Sequence, residues 1–483
     1  MKTHGRNHPH DFGRPPDRFV RFGGASRFAA ILAIPLLTVL FAPTLLLGQQ
    51  APQPSPLTLR QAVNIALEKN PQRKAALAET RAASADVKQA KSYLLPRIAF
   101  SETATAGDDP VYVFGSKLRQ ARFATPDFAL NALNTPLPFG NFTTRFGGTW
   151  NLFDSLASWR SVNRAEREKD ATDRQLERTG QEIVFRVADS YYAVLLAKKQ
   201  LEVAGQAMQT AEAVLERSKN RVESGIVVES DALSAQVRLA TRKQEQIRAQ
   251  NNLALARAQL SAAMGLSTQS EFEPADALEE RNLPATPLEE LEKQAIESRP
   301  DLKRIRSEES AQQESVSIAK SSFGPRVNAF AGWEADNPTL FAGGGGNNWL
   351  AGIDVKFDLF EGGARQAELS RARAMQDKVA AVKEMATDAV RLEVRKAFYE
   401  VDATRQQIEV ARAAIADSQE SLRINQDRYE AGLSTVTDLL AAEDAARRTQ
   451  ADYWETLCRY YTGYAALELA SGTLNPQSPV VTP

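Results

Sequence analysis

Apolar residues recur every seven positions along two long stretches of this chain. In the later stretch the large members are Val394, Val401, Ile408, Ile415, Leu422 and Tyr429, and the interleaved small or polar members are Ala397, Thr404, Ala411, Ser418 and Asn425. The earlier stretch has the same arrangement with Val187, Val194, Leu201, Met208, Leu215 and Val222, interleaved with Ser190, Ala197, Ala204, Ala211 and Ser218. A heptad repeat of large and small residues predicts coiled-coil helices whose backbones approach each other closely. Because their other faces are rich in Lys, Arg, Glu and Gln, these helices are predicted to face water rather than lipid.

The repeat also predicts two helices of unusual length. They cover residues 156–222 and 364–429, and each would extend about 100 Å at about 1.5 Å per residue. Shorter predicted helices flank them, at 71–95 and 228–264 in the first half and at 300–323 and 435–470 in the second. Because no short helix can cover a long one alone, we expect each long helix to pack against two short helices stacked end to end.

Four segments between the helices alternate apolar and polar residues with the period of a β-strand. They cover residues 97–103, 142–153, 327–334 and 349–360, and in the last one Ile353, Val355, Phe357 and Leu359 alternate with Asp354, Lys356 and Asp358. Alternating segments of about ten residues are typical of transmembrane β-strands. The alternative is a small soluble sheet with one buried face.

Four strands are too few for a barrel, because the smallest barrels have about eight. The backbone groups of open sheet edges also cannot be satisfied in lipid. A membrane-spanning sheet therefore needs further copies of the chain, and about eight strands from two copies or twelve from three are both possible barrels. The periodicity does not choose between them.

The two halves of the chain repeat each other. Asn70-Pro71 recurs as Arg299-Pro300, and Leu152-Phe153-Asp154 recurs as Leu359-Phe360-Glu361. The first half also has an insert at 108–141, which we predict to be an exterior loop with a short helix near 114–123.

This duplication predicts the domain organisation. The first repeat covers 51–266, with a strand pair at 97–153 and a helical hairpin at 156–264. A linker at 267–285 leads to the second repeat at 286–472, with a strand pair at 327–360, a helical hairpin at 364–470 and a C-terminal tail at 473–483.

The N-terminus is typical of an export signal. Six basic residues in the first 27 precede an apolar run that begins at Phe28 and ends near Gly48. A basic segment followed by such a run predicts a cleaved signal peptide, here at 1–50. The alternative is a permanent membrane anchor, because the run is long enough to span a bilayer.

Composition excludes most enzyme chemistry. The chain has 483 residues, 59 Lys and Arg against 60 Asp and Glu, three His and one Cys. The balanced charge argues against a nucleic-acid partner. All three histidines lie in the first ten residues, and Cys458 has no second cysteine with which to form a disulfide or a metal site. We therefore expect no catalytic, cofactor-binding or metal-binding residues, and no cofactor.

Two similar turn segments separate the long helices from the helices that follow. The first is Arg221-Val222-Glu223-Ser224-Gly225, followed by Ser230-Asp231, and the second is Arg428-Tyr429-Glu430-Ala431-Gly432, followed by Thr437-Asp438. Gly225 and Gly432 are placed to end helices in a left-handed conformation. Asp231 and Asp438 lie where a carboxylate caps the next helix.

With the Asn70-Pro71 element and Leu359-Phe360-Glu361-Gly362-Gly363, these turns resemble the TolC-like outer membrane efflux protein family over residues 57–472. The resemblance implies a homotrimer in which a twelve-stranded outer membrane β-barrel continues into a periplasmic α-helical barrel. It also implies that the tunnel tips dock to a periplasmic adaptor (membrane fusion) protein, which works with an inner-membrane transporter of the RND, ABC or MFS type.

The resemblance also assigns roles to the turns. Gly225, Gly432, Arg221 and Arg428 lie at the hairpin tips that would dock the adaptor, and Asp231, Tyr429 and Asp438 match positions that close the tunnel entrance. Two positions depart from the family pattern: Ser434 replaces a gating arginine of some members and Ala441 replaces a second ring aspartate. From the residues alone, the alternative to a role at the tunnel entrance is that Asp231 and Asp438 serve only as helix caps.

The predicted fold is mainly α with a small transmembrane β portion, formed by a duplicated long antiparallel coiled coil and four strands per chain. The predicted function is a passive exit duct of a tripartite efflux or type I secretion complex, in the cell outer membrane with a periplasmic extension and in contact with outer membrane lipid. The alternative is a periplasmic, membrane-anchored coiled-coil scaffold or adaptor.

Overall fold

The computed structural model describes residues 55–225, 227–270, 272–341 and 344–482. The predicted signal peptide at 1–50 lies outside the described residues. No helix in the described ranges combines the length and the apolar composition that crossing a bilayer requires.

Helices make up most of the described chain. In chain order they are α1 (Leu59–Lys69), α2 (Pro71–Ser92), α3 (Pro110–Arg119), α4 (Leu130–Asn134), α5 (Ala157–Glu223), α6 (Glu229–Ala263), α7 (Leu288–Ser298), α8 (Pro300–Ser321), α9 (Ala364–Glu430) and α10 (Val436–Ser471), with a 3₁₀ turn at Thr125–Phe128. The strands are β1 (Ser55–Leu57), β2 (Arg97–Gly107), β3 (Phe139–Phe153), β4 (Phe272–Pro274), β5 (Arg326–Asn337) and β6 (Asn347–Lys356). The prediction of a mainly α fold with a small β portion is confirmed.

The two long helices have the predicted length, because α5 and α9 contain 67 residues each. α5 packs against α6 and α2, and α9 packs against α10 and α8. α5 also contacts α8 and α10, which joins the two halves. The heptad positions lie in these contacts, since Val187, Val194 and Val394 are fully buried. Each long helix is therefore covered by two shorter ones, as the sequence indicates.

The segment before each strand pair contains two helices rather than the single predicted one. α1 and α7 precede α2 and α8, and the chain changes direction at Asn70-Pro71 and Arg299-Pro300. Proline is favoured at the first position of a helix, where its missing N–H costs nothing. With eleven residues each, α1 and α7 are too short to show the heptad repeat of the long helices.

A glycine lies against each of these bends. A Cβ atom at Gly265 would lie 2.6 Å from the Asn70 Cα, and one at Gly472 would lie 2.9 Å from the Arg299 Cα. Both glycines also have positive φ angles, of 74° and 76°. In both halves of the chain, a glycine with a positive φ angle thus packs directly against the bend.

The segments outside the two hairpins pack into the largest apolar core. β4 pairs in parallel with β1, and Leu278 beyond it is buried. The Tyr461 hydroxyl donates a hydrogen bond to the Glu279 carbonyl at 2.5 Å. Near the C-terminus Val481 is fully buried. The described residues of the stretches predicted as linker and tail therefore contribute to the core.

The single cysteine also lies in this core. The Cys458 thiol is buried and donates to the Tyr192 carbonyl at 3.5 Å. Burial raises the pKa of this thiol to about 12. Cys458 is therefore a packed, uncharged residue, as expected for a buried cysteine.

The four long strands form one antiparallel sheet in the order β2-β3-β5-β6. β2 and β3 are longer than the predicted segments, and β6 is shorter at its C-terminal end, since it stops at Lys356 rather than at residue 360. The Arg365 guanidinium donates to the Asp358 carbonyl at 2.6 Å. Residues 357–360 thus turn towards the start of α9 rather than extending the strand.

The insert between β2 and β3 contains two short helices and the 3₁₀ turn. Its first helix, α3, begins at Pro110, where the Asp109 carboxylate accepts a hydrogen bond from the Tyr112 N–H at 2.8 Å. It ends at Arg119, just before Ala121 adopts a positive φ of 53°. The prediction of a short helix in the insert is confirmed, but that helix begins four residues earlier than predicted because of the Asp109 cap.

Candidate functional site

The two hairpin turns have the same backbone geometry. Gly225 and Gly432 have φ angles of 69° and 74°, and their N–H groups donate to the Val222 and Tyr429 carbonyls at 2.9 and 3.1 Å. A Cβ atom at either glycine would meet nothing within 4 Å. Glycine is therefore needed here for its backbone conformation, as is typical at helix C-termini.

A cation–aromatic contact joins the two turns. The Arg221 guanidinium lies 4.8 Å from the centre of the Tyr429 ring and donates to the Tyr429 carbonyl at 2.9 Å. The Tyr429 side chain is buried against a small apolar cluster that includes Val214 and Leu439. Next to it, Arg217 and Glu430 form an ion pair at 3.0 Å that is open to solvent. The C-terminal ends of α5 and α9 are thus bonded to each other.

The two predicted aspartates lie at the start of the returning helices. Asp231 is half-buried in the first turn of α6. Asp438 is exposed, and its carboxylate accepts from the Thr435 N–H at 3.0 Å and from the Thr435 hydroxyl at 2.7 Å. These hydrogen bonds, with a smaller contribution from Arg428, hold the pKa of Asp438 below its ordinary value. The carboxylate of Asp438 is therefore used as a helix cap within the chain.

An ion-pair link between the two hairpins lies about two to three helical turns further from the tips. Arg238 on α6 donates to the Asp444 carboxylate on α10 at 2.6 Å and to the Leu440 carbonyl at 3.0 Å. Arg242 donates to the other oxygen of Asp444 and, at 2.7 Å, to Glu245. Only 4% of Arg242 is exposed, which makes this the most buried charge near the tips. Asp444 is thus held by two arginines of the other hairpin.

The two neighbouring carboxyl groups at this link, Asp444 and Glu443, have pKa values that are shifted in opposite directions. Burial raises the pKa of Asp444, but hydrogen bonds from Arg242 and Arg238 outweigh burial and leave that pKa below its ordinary value. For the neighbouring Glu443, burial outweighs the attraction of Arg238 and Arg242, so its pKa is raised. One oxygen of Glu443 is buried without a hydrogen-bond partner among the described residues. Asp444 therefore carries the charge that binds the arginines.

Sequence reasoning found Arg221 and Tyr429 but missed Arg217, Arg238, Arg242 and Asp444. Those four positions have no counterpart of the same charge in the other half of the chain, so the internal repeat does not mark them. An Arg pair spaced four residues apart on α6 is a weak signal, because helix faces in this chain are rich in charge. Only the packing of one hairpin on the other shows which of these charges meet.

The faces of the four-stranded sheet differ sharply in polarity. Residues in one cross-strand row point to the same side, and successive rows alternate. One face carries mostly apolar side chains, including Ile98, Phe100, Phe146, Trp150, Ala329, Ala331, Trp333, Trp349, Ala351, Ile353 and Val355. Apart from Phe139, Phe330 and Leu350, the other face carries small or polar side chains, including Arg97, Ser101, Arg145, Gly147, Thr149, Asn328, Gly332, Glu334, Asn348 and Asp354.

The apolar face is open in the single chain. Phe100, Phe146, Trp333 and Trp349 form one row across all four strands, and between 40% and 79% of each is exposed. An exposed apolar face opposite a polar one is typical of strands that separate lipid from a water-filled lumen. A two-faced sheet that continues into helices about 100 Å long, whose ends are bonded at the tips, defines the subunit of an outer membrane channel.

Comparison with known proteins identifies the family. The chain belongs to the outer membrane efflux protein family, whose model matches residues 62–266 and 291–473. It is accordingly an outer membrane channel, an exit duct with a periplasmic extension. The family is one of channels rather than of enzymes.

Individual relatives agree with this assignment. The chain is 25% identical to the outer membrane protein TolC of Vibrio cholerae serotype O1 over 338 residues, which is 66% of this chain and 74% of that protein. It is 21% identical to the alkaline protease secretion protein AprF of Pseudomonas aeruginosa over 450 residues, which is 91% of this chain and 89% of that protein. The crystal structure of the outer membrane protein VceC of Vibrio cholerae superposes with a TM-score of 0.71 at 20% identity, over 86% of this chain and 96% of that one.

Proposed function

We propose that three copies of this chain form the outer membrane duct of a tripartite efflux or type I secretion complex. The observation that carries the proposal is the two-faced sheet, because the outer edges of β2 and β6 are not paired by other strands of the sheet. Each unsatisfied backbone group costs several kcal/mol in lipid, so the edges must pair with other copies. Three copies give about twelve strands, a size within the range of outer membrane barrels.

The helices support assembly of several copies. Large apolar side chains remain exposed along α6 at Leu233, Val237, Ile247 and Leu255, and along α9 at Met385, Leu392, Tyr399 and Val410. Exposed apolar stripes of this length mark contact surfaces. We assign them to the contact between neighbouring copies, which continues the barrel as a helical tunnel.

The bonds between the hairpin tips act as the gate of this tunnel. Arg221 holds Tyr429, and Asp444 is held by Arg238 and Arg242 of the other hairpin. Separation of the hairpins would break these bonds and widen the entrance. Asp231 and Asp438 remain candidates for the charge that lines the entrance, and Gly225, Gly432, Arg221 and Arg428 form the surface on which a periplasmic adaptor would dock.

Transport through the duct is passive. The chain conducts substrates that an adaptor and an inner-membrane transporter deliver, and it performs no chemistry itself. The open apolar face of the four-stranded sheet argues against the scaffold alternative, because a scaffold has no use for such a face.

The test compares two lysine substitutions at adjacent residues of β6. Ala351→Lys places a charge on the apolar face and costs about 2–4 kcal/mol per copy near the middle of a bilayer. Leu350→Lys places the same charge on the polar face. We expect the parent protein and Leu350→Lys to run as heat-sensitive trimers in gels and to conduct ions in planar bilayers.

Ala351→Lys is expected to lose both properties. A parent chain that stays a water-soluble monomer without detergent and forms no pores would contradict the proposal. If both lysine variants lost trimer formation and ion conductance equally, the assignment of the apolar and polar faces of the sheet would be contradicted.

A further inference from the structure

The insert between β2 and β3 lies at the end of the sheet that is far from the helices. β2 and β5 begin shortly after α2 and α8, whereas β3 and β6 lead into α5 and α9. The insert at 108–138 and the described residues between β5 and β6 therefore lie at the opposite end. In an outer membrane channel with a periplasmic helical part, that end faces the outside of the cell.

The insert folds towards the polar face rather than away from the sheet. Arg119, at the end of α3, forms an ion pair with Glu334 at 3.0 Å, and Arg145 binds the same carboxylate. Glu334 and Arg145 are partners in one cross-strand row of the polar face. A side chain that reaches this row from the insert must lie on the polar side of the sheet.

A second, buried anchor lies beside the first. Only 1% of Gln120 is exposed, and its amide donates to the Asn141 side chain at 2.7 Å and to the Asn337 carbonyl at 3.2 Å. Asn141 in turn donates to the fully buried Asp336, which also accepts from Thr143 at 2.9 Å. These hydrogen bonds connect the end of α3 to β3 and β5, although one oxygen of Gln120 and one of Asp336 are buried without a hydrogen-bond partner among the described residues. The end of α3 is thus locked to the sheet.

The opposite loop packs against the same point. A Cβ atom at Gly346 would lie 2.2 Å from the Arg119 carbonyl oxygen, and one at Gly345 would lie 1.8 Å from the Asp336 carbonyl oxygen. Glycine is required at Gly346 because the two connections touch there at the backbone, and at Gly345 because the chain passes close to the backbone of β5. The rest of the insert is held together by edge-to-face contacts of Phe123 with Phe114 and Phe128, at 4.8 and 5.0 Å.

A cavity of about 820 Å³ lies below the anchored insert, along the polar face. Arg97, Arg119 and Arg145 line it, with Glu334 as the one carboxylate among its lining residues. Positive charge therefore exceeds negative charge at this level. A ring of such sites favours anions over cations, as in other pores lined by arginine.

We propose that the insert forms a second constriction of the duct, at its outer end, and that the arginines beneath it select for anionic solutes. The proposal rests on the proposed three-copy duct, in which the polar face lines the lumen. Three inserts anchored on that face would narrow the exit independently of the periplasmic tips. The second half of the chain has only a short loop at the equivalent place, so the constriction comes from the first half alone.

The experiment places a reporter cysteine below the insert. Thr149 is exposed on the polar face, in the same row as Arg97 and Phe330. Thr149→Cys is made in the full chain, whose own Cys458 is buried, with the native insert or with residues 108–138 replaced by a short flexible loop. Intact cells are then treated with a small charged maleimide or with a bulky polyethylene-glycol maleimide.

We expect the small reagent to label Thr149→Cys with either insert. The bulky reagent should label it at least about tenfold more slowly when the native insert is present, since pore diameter and lining set access. Equal labelling by the bulky reagent in both chains would overturn the constriction. Leu137→Cys, 85% exposed on the insert itself, is the control that both reagents should reach.

The same reporter tests selectivity and separates the two proposals. Relative to their rates on a free thiol, an anionic methanethiosulfonate should react with Thr149→Cys faster than a cationic one, and Arg145→Gln should reduce that preference. Arg391→Gln, which removes an exposed charge on α9, is the matched control. An unchanged ratio in Arg145→Gln would overturn the assigned selectivity. If the small reagent labels neither chain, the polar face does not line a lumen, and the proposed duct fails with it.

Discussion

At the residue scale, the least exposed charge near the tips belongs to Arg242, whose guanidinium is paired with Asp444 and Glu245. Removing one partner of a buried ion pair leaves the other charge without compensation. About a third of the Asp444 side chain is exposed, which reduces this cost. The bond between the hairpins therefore depends on Asp444 more than on the exposed ion pairs around it.

We predict that Asp444→Asn destabilises the protein by about 2 kcal/mol and opens the tips. The measurements are thermal unfolding in detergent and conductance in planar bilayers, where the variant should show larger single-channel currents. Asp427→Asn removes an exposed partner of Arg423 and is the control. The prediction is wrong if both variants have the stability and conductance of the parent.

Glu468, near the end of α10, predicts a pH dependence. Burial raises its pKa from 4.5 to about 7, and a hydrogen bond with Ser478 only partly opposes this. A carboxyl whose pKa is higher in the folded than in the unfolded chain binds protons more tightly when folded. Its contribution to stability is therefore complete below about pH 4.5 and is lost as the pH rises towards 7.

We expect the stability difference between the parent and Glu468→Gln to change by about 2–3 kcal/mol between pH 4 and pH 8. The parent should lose stability relative to the variant as the pH rises. Chemical unfolding of both proteins at several pH values measures this difference. A difference that does not vary with pH would contradict the raised pKa.

At this scale, the sequence predicted the glycines that the backbone conformation of the two turns requires. Gly225 and Gly432 were predicted to end helices in a left-handed conformation, and both do so. The cap formed by Asp438 was one of two alternatives, and the structure shows the cap. The pairing of Asp444 with Arg238 and Arg242 could not be predicted, because it depends on how two hairpins more than 200 residues apart in the chain pack together.

At the scale of elements, helix lengths were predictable and strand ends were not. The bounds of α5 and α9 were predicted to within a residue, and their C-terminal ends lie where the heptad repeat stops. The end of β6 depends instead on a hydrogen bond from Arg365 on the following helix. α1 and α7 were missed because eleven residues are too few for the heptad repeat that marks the long helices, although Leu59, Ala62, Val63 and Ala66 of α1 have helical spacing.

The bends at the start of α2 and α8 give a prediction at this scale. Gly265→Ala adds a methyl group that would lie 2.6 Å from the Asn70 Cα, in a residue whose φ is already positive. Gly225→Ala has a similar φ but no neighbour within 4 Å. The second variant should lose about 1 kcal/mol from backbone strain alone, and the first should lose at least about twice as much.

Thermal unfolding of the two variants measures the difference. The close contact would be contradicted if Gly265→Ala and Gly225→Ala had the same melting temperature. Because both substitutions share the strained backbone, only the packing against Asn70 separates them.

At the scale of the whole molecule, the sequence predicted an assembly of several copies because the four strands of one chain cannot close a barrel. Four strands with an apolar face implied further copies, and the family shows an outer membrane channel. The number of copies followed from the resemblance rather than from the periodicity. The described chain shows the unpaired edges and the exposed stripes, and the proposed trimer explains both.

We predict that Leu392→Asp prevents assembly of the copies. Leu392 is 70% exposed in the single chain, on the apolar stripe of α9. A carboxylate there would be buried without a partner in the contact between copies. Arg391→Asp places the same group on the preceding residue, whose side chain is rotated by about 100° around the helix axis.

Heat-dependent gel mobility and light scattering in detergent report the number of copies. Leu392→Asp should run as a monomer, whereas Arg391→Asp should remain assembled. If Leu392→Asp assembles as the parent does, the stripe on α9 is not a contact between copies.

The buried thiol of Cys458 has a practical consequence. With a pKa of about 12, the side chain holds only about one thiolate in 10⁵ molecules at neutral pH. Alkylating reagents attack the thiolate, so they do not modify Cys458 in the folded protein but do modify it in the newly made, unfolded chain. Alkylation at successive times after synthesis would thus measure how fast this exported protein folds, without an engineered label.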